Sequence, residues 1–181
     1  MKTLKPMAVA LLCMAATTVV AQELAWNASA IKECDRASLV GVLDGYLDAL
    51  FKKDPKTVPP LSIDVRMTEN TGQMDVDEGV LWRSKTEPTS FKLTVADPVS
   101  GEVAFQGRLK VRGRDTLAAI RLKVDRGRIT EIEQLHAGGI APQAIELLTT
   151  PRTLLTEDVP VNQRVSREVM FRVANTSVWT G

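Results

Sequence analysis

From Glu102 to Leu135 the chain runs through three apolar–polar alternations separated by two glycine-bearing turns, and few folds accommodate that block. The spacing predicts strands over about Glu102–Val111, Thr116–Val124 and Arg128–His136, joined at Arg112-Gly113-Arg114 and Asp125-Arg126-Gly127. Val103, Phe105, Gly107, Leu109 and Val111 fall on one face of the first strand, and Ala104, Gln106, Arg108 and Lys110 on the other. In the second, Ala118, Ile120, Leu122 and Val124 oppose Leu117, Ala119, Arg121 and Lys123. Successive side chains of a strand point to opposite faces, so this pattern belongs to a half-buried antiparallel meander. Upstream, Leu39, Val42, Leu43, Tyr46, Leu47 and Leu50 repeat at helical spacing over Asp35–Lys53. Asp35 is placed to cap that helix, and Pro55 and Pro59-Pro60 end it. The expected class is α+β: a cone-shaped, strongly curved antiparallel sheet with N-terminal helices packed over its concave face.

Other segments fit around this core. Ser62–Thr68 alternates as a short strand ending at the turn Asn70-Thr71-Gly72, Asp75–Gly79 is an acidic loop, and Phe91–Ala96 is a further strand. Residues 1–21 have the form of a secretory leader: Lys2 and Lys5, then an uncharged apolar run Met7–Val20, then small residues up to Ala21. That run is shorter than the ~20 residues of a membrane span. No stable membrane insertion is expected once it is cleaved, and a secreted, extracellular location follows. Residues 22–33 read as an irregular lead-in, 34–137 as one domain, and 138–181 as a C-terminal extension. Within the extension Ser166-Arg167-Glu168 and the following Met170 and Val173 repeat the spacing of Asp35, Arg36, Leu39 and Val42, as the start of a truncated second copy would.

Charge and composition exclude several chemistries. Loss of Lys2 and Lys5 lowers the formal net charge of +1 by two, so no nucleic-acid partner is expected. The single histidine, His136, has no metal-ligating companions in sequence; Gly138-Gly139 lacks the lysine and helix of a phosphate loop; and no serine stands at a nucleophile elbow. No metal and no cofactor is therefore expected. Cys34 is the one cysteine beyond the leader, a buried thiol or one paired to another chain. Asn27-Ala28-Ser29 and Asn175-Thr176-Ser177 are glycosylation sequons in a eukaryotic secretory pathway.

Three stretches carry a family resemblance: Ile120-Arg121-Leu122-Lys123-Val124-Asp125-Arg126-Gly127-Arg128-Ile129-Thr130-Glu131-Ile132-Glu133, Asp48-Ala49-Leu50-Phe51-Lys52-Lys53-Asp54-Pro55 and Val65-Arg66-Met67-Thr68-Glu69-Asn70. Over about Cys34–Leu135 the chain resembles the nuclear transport factor 2-like, or SnoaL-like, superfamily. That superfamily includes ketosteroid isomerases, scytalone dehydratase, polyketide cyclases and non-catalytic modules. The resemblance implies a pocket between the first helix and the concave sheet, with Glu69 where isomerases hold a general base and Tyr46 where they hold an oxyanion donor. It also marks departures. No aspartate in Thr116–Val124 matches the isomerases' protonated acid, and the dehydratase needs two histidines and paired tyrosines where this chain has one of each.

The candidate site therefore comprises Glu69 and Tyr46 as catalytic residues, with Arg66, Trp82, Phe105, Arg121 and His136 as ligand-binding residues. Each has a structural reading beside it: Glu69 as a strand-end carboxylate in an ion pair, Tyr46 as core with its hydroxyl satisfied, Trp82 and Phe105 as cavity wall or core, Arg66 as an exposed surface residue, His136 as an exposed strand end, Arg121 as a buried cation or an ordinary convex residue. Two functional classes fit. One is a secreted binding module that takes a small apolar molecule or a protein partner in its pocket or on its sheet, including a homodimer through the sheet. The alternative is a cofactor-independent lyase, isomerase or cyclase acting on a hydrophobic metabolite with Glu69 as base.

Overall fold

The computed structural model describes residues 35–179, with side chains through residue 176. Cys34, Asn27 and the leader lie outside the described residues. Helix α1 spans Arg36–Lys52, capped by Asp35, whose carboxylate accepts from the Ser38 amide at 2.6 Å. Strand β1 is Leu61–Glu69, β2 Gly72–Met74, and a single turn of helix, α2, covers Val80–Arg83. Strands β3 (Thr86–Asp97), β4 (Glu102–Val111), β5 (Arg114–Asp125) and β6 (Arg128–Gly138) follow, then helices α3 (Pro142–Leu147) and α4 (Arg167–Trp179). The six strands form one sheet in the order β2-β1-β6-β5-β4-β3.

The meander is as the alternation predicted, and its turns show why it is so tight. Arg112 and Gly113 have φ of 52° and 77°, and Arg126 and Gly127 of 46° and 75°. Two consecutive positive values define the hairpin turn whose twist matches that of the flanking strands. The sheet departs from expectation at one pairing. It is mixed, because β1 runs parallel to β6, with Met67 beside Ile132 and Glu69 beside Gln134. A parallel neighbour needs a long crossover, here the whole stretch from β2 to β5, so local patterning could not reveal it. The expected plural of N-terminal helices is also corrected: among the described residues one long helix, α1, covers the concave face, and α2 adds a single turn.

The core lies between α1 and the concave face. Leu39, Val42, Leu43, Tyr46 and Leu50 of α1 meet Met67, Phe105, Leu109, Ile120, Leu122 and Ile132 of the sheet, all buried. Burial of each such aliphatic side chain is worth about 1.5–3 kcal/mol, which makes this interface the main source of stability. Among the described residues no helix is long and apolar enough to cross a membrane. After Gly138 the described residues add no strand. The chain bonds back to the sheet where Arg108 Nε donates to the Leu148 carbonyl and Ser90 Oγ to that of Thr149.

Candidate functional site

Tyr46 is the hub of a buried polar network on the concave side. The helical stripe that buries α1 also turns the phenol inward, and the ring is fully buried. Its oxygen accepts from Trp82 Nε1 at 3.0 Å and from Gln134 Nε2 at 2.7 Å. The Tyr46 and Trp82 rings meet edge to face, centroids 5.8 Å apart at 80°. Burial, the largest influence, pushes the phenol far above its ordinary pKa of 10.0, and the Glu69 charge adds to the shift. A carboxylate thus lies within electrostatic range of the phenol, as the resemblance implies.

Glu69 ends β1 on the same concave face, and its carboxylate is already engaged. Oε1 accepts from the Val80 amide at 2.6 Å, and Oε2 from the Leu81 amide at 3.1 Å. These are free N–H groups at the start of α2, whose N-cap residue Gly79 has no side chain to offer them. A carboxylate from another element therefore caps the helix, where an acceptor and a negative charge are both favoured. His136 Nε2 lies 3.4 Å from Oε1. The histidine is held in turn by Asn70, whose Oδ1 accepts from the His136 amide at 2.8 Å and whose Nδ2 donates to the His136 carbonyl at 3.1 Å. Tyr46, Trp82, Glu69 and His136 are thus gathered at one end of the cone.

The other candidates lie elsewhere. Phe105 is core on the concave side and borders an open groove of about 260 Å³ between α1 and β3, together with Asp44, Asp48, Phe51 and Lys92. Arg66 and Arg121 point the opposite way, on the convex face, where they line a separate hollow of about 260 Å³ with Thr68. Arg66 does share a hollow with Thr68, but the sheet separates it from Tyr46 and Glu69. Arg121 pairs with Glu102, Glu131 and Glu133 at 2.9, 2.9 and 3.1 Å, and Arg66 pairs with Glu131 at 2.8 Å. Asn175 is exposed on α4.

Beside this lattice the convex face carries an apolar stretch, with Arg108, Lys110 and Asp115 paired further along it. Leu93, Val95, Ala104, Leu117, Ala119 and Leu135 share it, with Val95 at 64% and Leu135 at 43% exposure. A depression of about 220 Å³ opens toward the His136 end of the sheet, lined by Leu117, Ala118, Ala119, Leu135 and Ala137 together with the polar Asn70, Gln106 and His136.

Gln134 is the site residue that sequence reasoning missed. It is fully buried, and its Oε1 has no hydrogen-bond partner. The alternation of β6 carried a signal, because Gln134 is the polar residue between Ile132 and His136 on the inward face. Among the described residues no group of three or more His, Cys, Asp or Glu is placed to hold a metal ion.

No family model matches the chain, and no curated protein matches its sequence. Solved structures with a similar fold exist. An NTF2-like protein of unknown function from Cytophaga hutchinsonii is 12% identical, with 60% of this chain and 94% of that one aligned and a TM-score of 0.44. For an NTF2-like protein from Burkholderia xenovorans the values are 12%, 64%, 98% and 0.45. For an LEH-like epoxide hydrolase of M. tuberculosis they are 19%, 56%, 84% and 0.43. The architecture is the α+β arrangement described above, a long helix on a six-stranded, mostly antiparallel sheet, and likeness at these identities and TM-scores carries no argument about what the chain does.

Proposed function

We propose that this chain is a non-catalytic binding module that works outside the cell and uses the convex face of its sheet to take a protein partner, in the first instance a second copy of itself. The observation that carries this reading is the commitment of the interior. Glu69 is spent on the Val80 and Leu81 amides, the Tyr46 oxygen accepts two internal donors, and Trp82 is buried edge-on against the Tyr46 ring. A general base must reach the proton it removes, and Glu69 is 5% exposed behind α2. The lyase, isomerase or cyclase alternative would need that cap to open before any turnover. The convex face, by contrast, offers exposed Val95 and Leu135 beside an ion-pair lattice. Exposed apolar patches rimmed by polar groups mark interaction surfaces. The apolar run at Met7–Val20 supports the extracellular setting.

Sedimentation velocity of the purified chain beside Leu135→Glu tests the proposal. A wild-type dimer that the charge dissociates supports it. A wild-type monomer, or turnover of a hydrophobic carbonyl compound abolished by Glu69→Gln without loss of fold, would replace it with another reading.

A further inference from the structure

We propose that α4 of one copy docks on the convex face of a second copy and seats Phe171 in the depression over Ala119. The inference rests on the reading of that face as a self-association surface and supplies its contact.

Two unsatisfied surfaces carry it. A 13-residue helix is marginal in water by itself and owes its stability to packing of an apolar face. Yet Met170 and Phe171 are 54% and 56% exposed. Arg167 holds the helix by an ion pair to Asp97 and sets its guanidinium 5.0 Å over the Phe171 ring, and the Met170 and Phe171 side chains stay exposed beside these contacts. The second surface is the depression of about 220 Å³ with Leu117, Ala119 and Leu135 in its lining beside Asn70, Gln106 and His136. An engineered cavity of ~150 Å³ is enough for a benzene ring, so this hollow has room for one phenyl group and little more.

The geometry points to a second copy as the occupant. Ala119 pairs with Gln106, and Gln106 with Leu93, four residues along β3 from Asp97. At strand rise and spacing, Ala119 is roughly 16 Å from Asp97. Phe171 lies one helical turn from Arg167, which Asp97 holds, and so it stays at the far end of β3. Its own hollow is out of reach while that pair is intact. Reciprocal exchange between two copies fills both hollows and closes the assembly.

Sedimentation equilibrium would compare the full chain with Phe171→Ala, Ala119→Leu and the double variant, each checked for an unchanged circular dichroism spectrum. Both positions are outside the core, so the fold should survive. The expected result is a wild-type dimer whose dissociation constant rises at least tenfold in each single variant, with no further rise in the double variant, because both remove one contact. A wild-type monomer overturns this inference together with the self-association reading. A dimer indifferent to Phe171→Ala but dissociated by Leu135→Glu overturns only the role of α4.

Discussion

The Glu69 carboxylate lies so close over Gly79 that a β-carbon there would stand 2.5 Å from Oε2. One residue is bare so that the other can reach the amides of Val80 and Leu81. This relationship anchors the segment that carries Trp82 into the cone.

Removing the carboxylate strands those two amides. Glu69→Ala should cost about 2–4 kcal/mol in urea unfolding, since a buried donor left unpaired costs about 1–3 kcal/mol. Glu69→Gln keeps an acceptor and should cost about half as much. A stability unchanged in both variants would mean that the cap contributes nothing.

Glycine replacements should divide by position. Gly79→Ala puts a methyl group into the carboxylate and should destabilise by about 1–3 kcal/mol. Gly41→Ala, at an exposed position inside α1 with nothing within 4 Å of the added carbon, should stabilise by up to about 1 kcal/mol. Thermal melts of the pair measure both signs.

Thr71 has φ of 72°, a value a β-branched residue adopts only under strain. It follows Asn70 in the β1–β2 turn, where asparagine followed by glycine is the preferred pair. Thr71→Gly should raise stability by about 1 kcal/mol; a fall in melting temperature would show that the threonine makes a compensating contact.

Tyr46 links stability to alkaline pH. Its folded pKa is raised well above the ordinary 10.0, so above pH ~10 the unfolded chain loses a proton that the folded chain keeps. Unfolding is then favoured as pH rises. Wild-type stability should decline above that point, and Tyr46→Phe should flatten the decline while lowering stability at neutral pH, because Trp82 and Gln134 lose their acceptor.

Lys53 acts in the opposite sense. Burial lowers its amine to about 8, and Nζ donates to the Leu81 carbonyl at 2.5 Å. Between pH ~8 and ~10.4 the unfolded chain holds the extra proton, so stability rises with pH across that window. Lys53→Met should abolish the rise; an identical pH profile would show that the amine is freely solvated.

Local chemistry made the container legible. Alternation at period two, glycine after a positive-φ residue, and the helical stripe from Leu39 to Leu50 are properties of neighbouring residues. Short-range sterics and burial therefore decide them before the chain meets itself. The same alternation said that Arg121 shares a face with Leu117 and Ala119, but not which face is concave. The direction of sheet curvature and the side on which α1 lands are collective, and they put Arg121 outside among Glu102, Glu131 and Glu133. Only the tertiary structure decided what Glu69 holds. Its partners at Val80 and Leu81 come from a turn of helix with no side-chain cap of its own, and its strand neighbour Gln134 comes through a parallel pairing 65 residues away. A carboxylate becomes a base or a cap according to which donors the fold brings to it, and those donors arrive from parts of the chain that carry no mark of their destination.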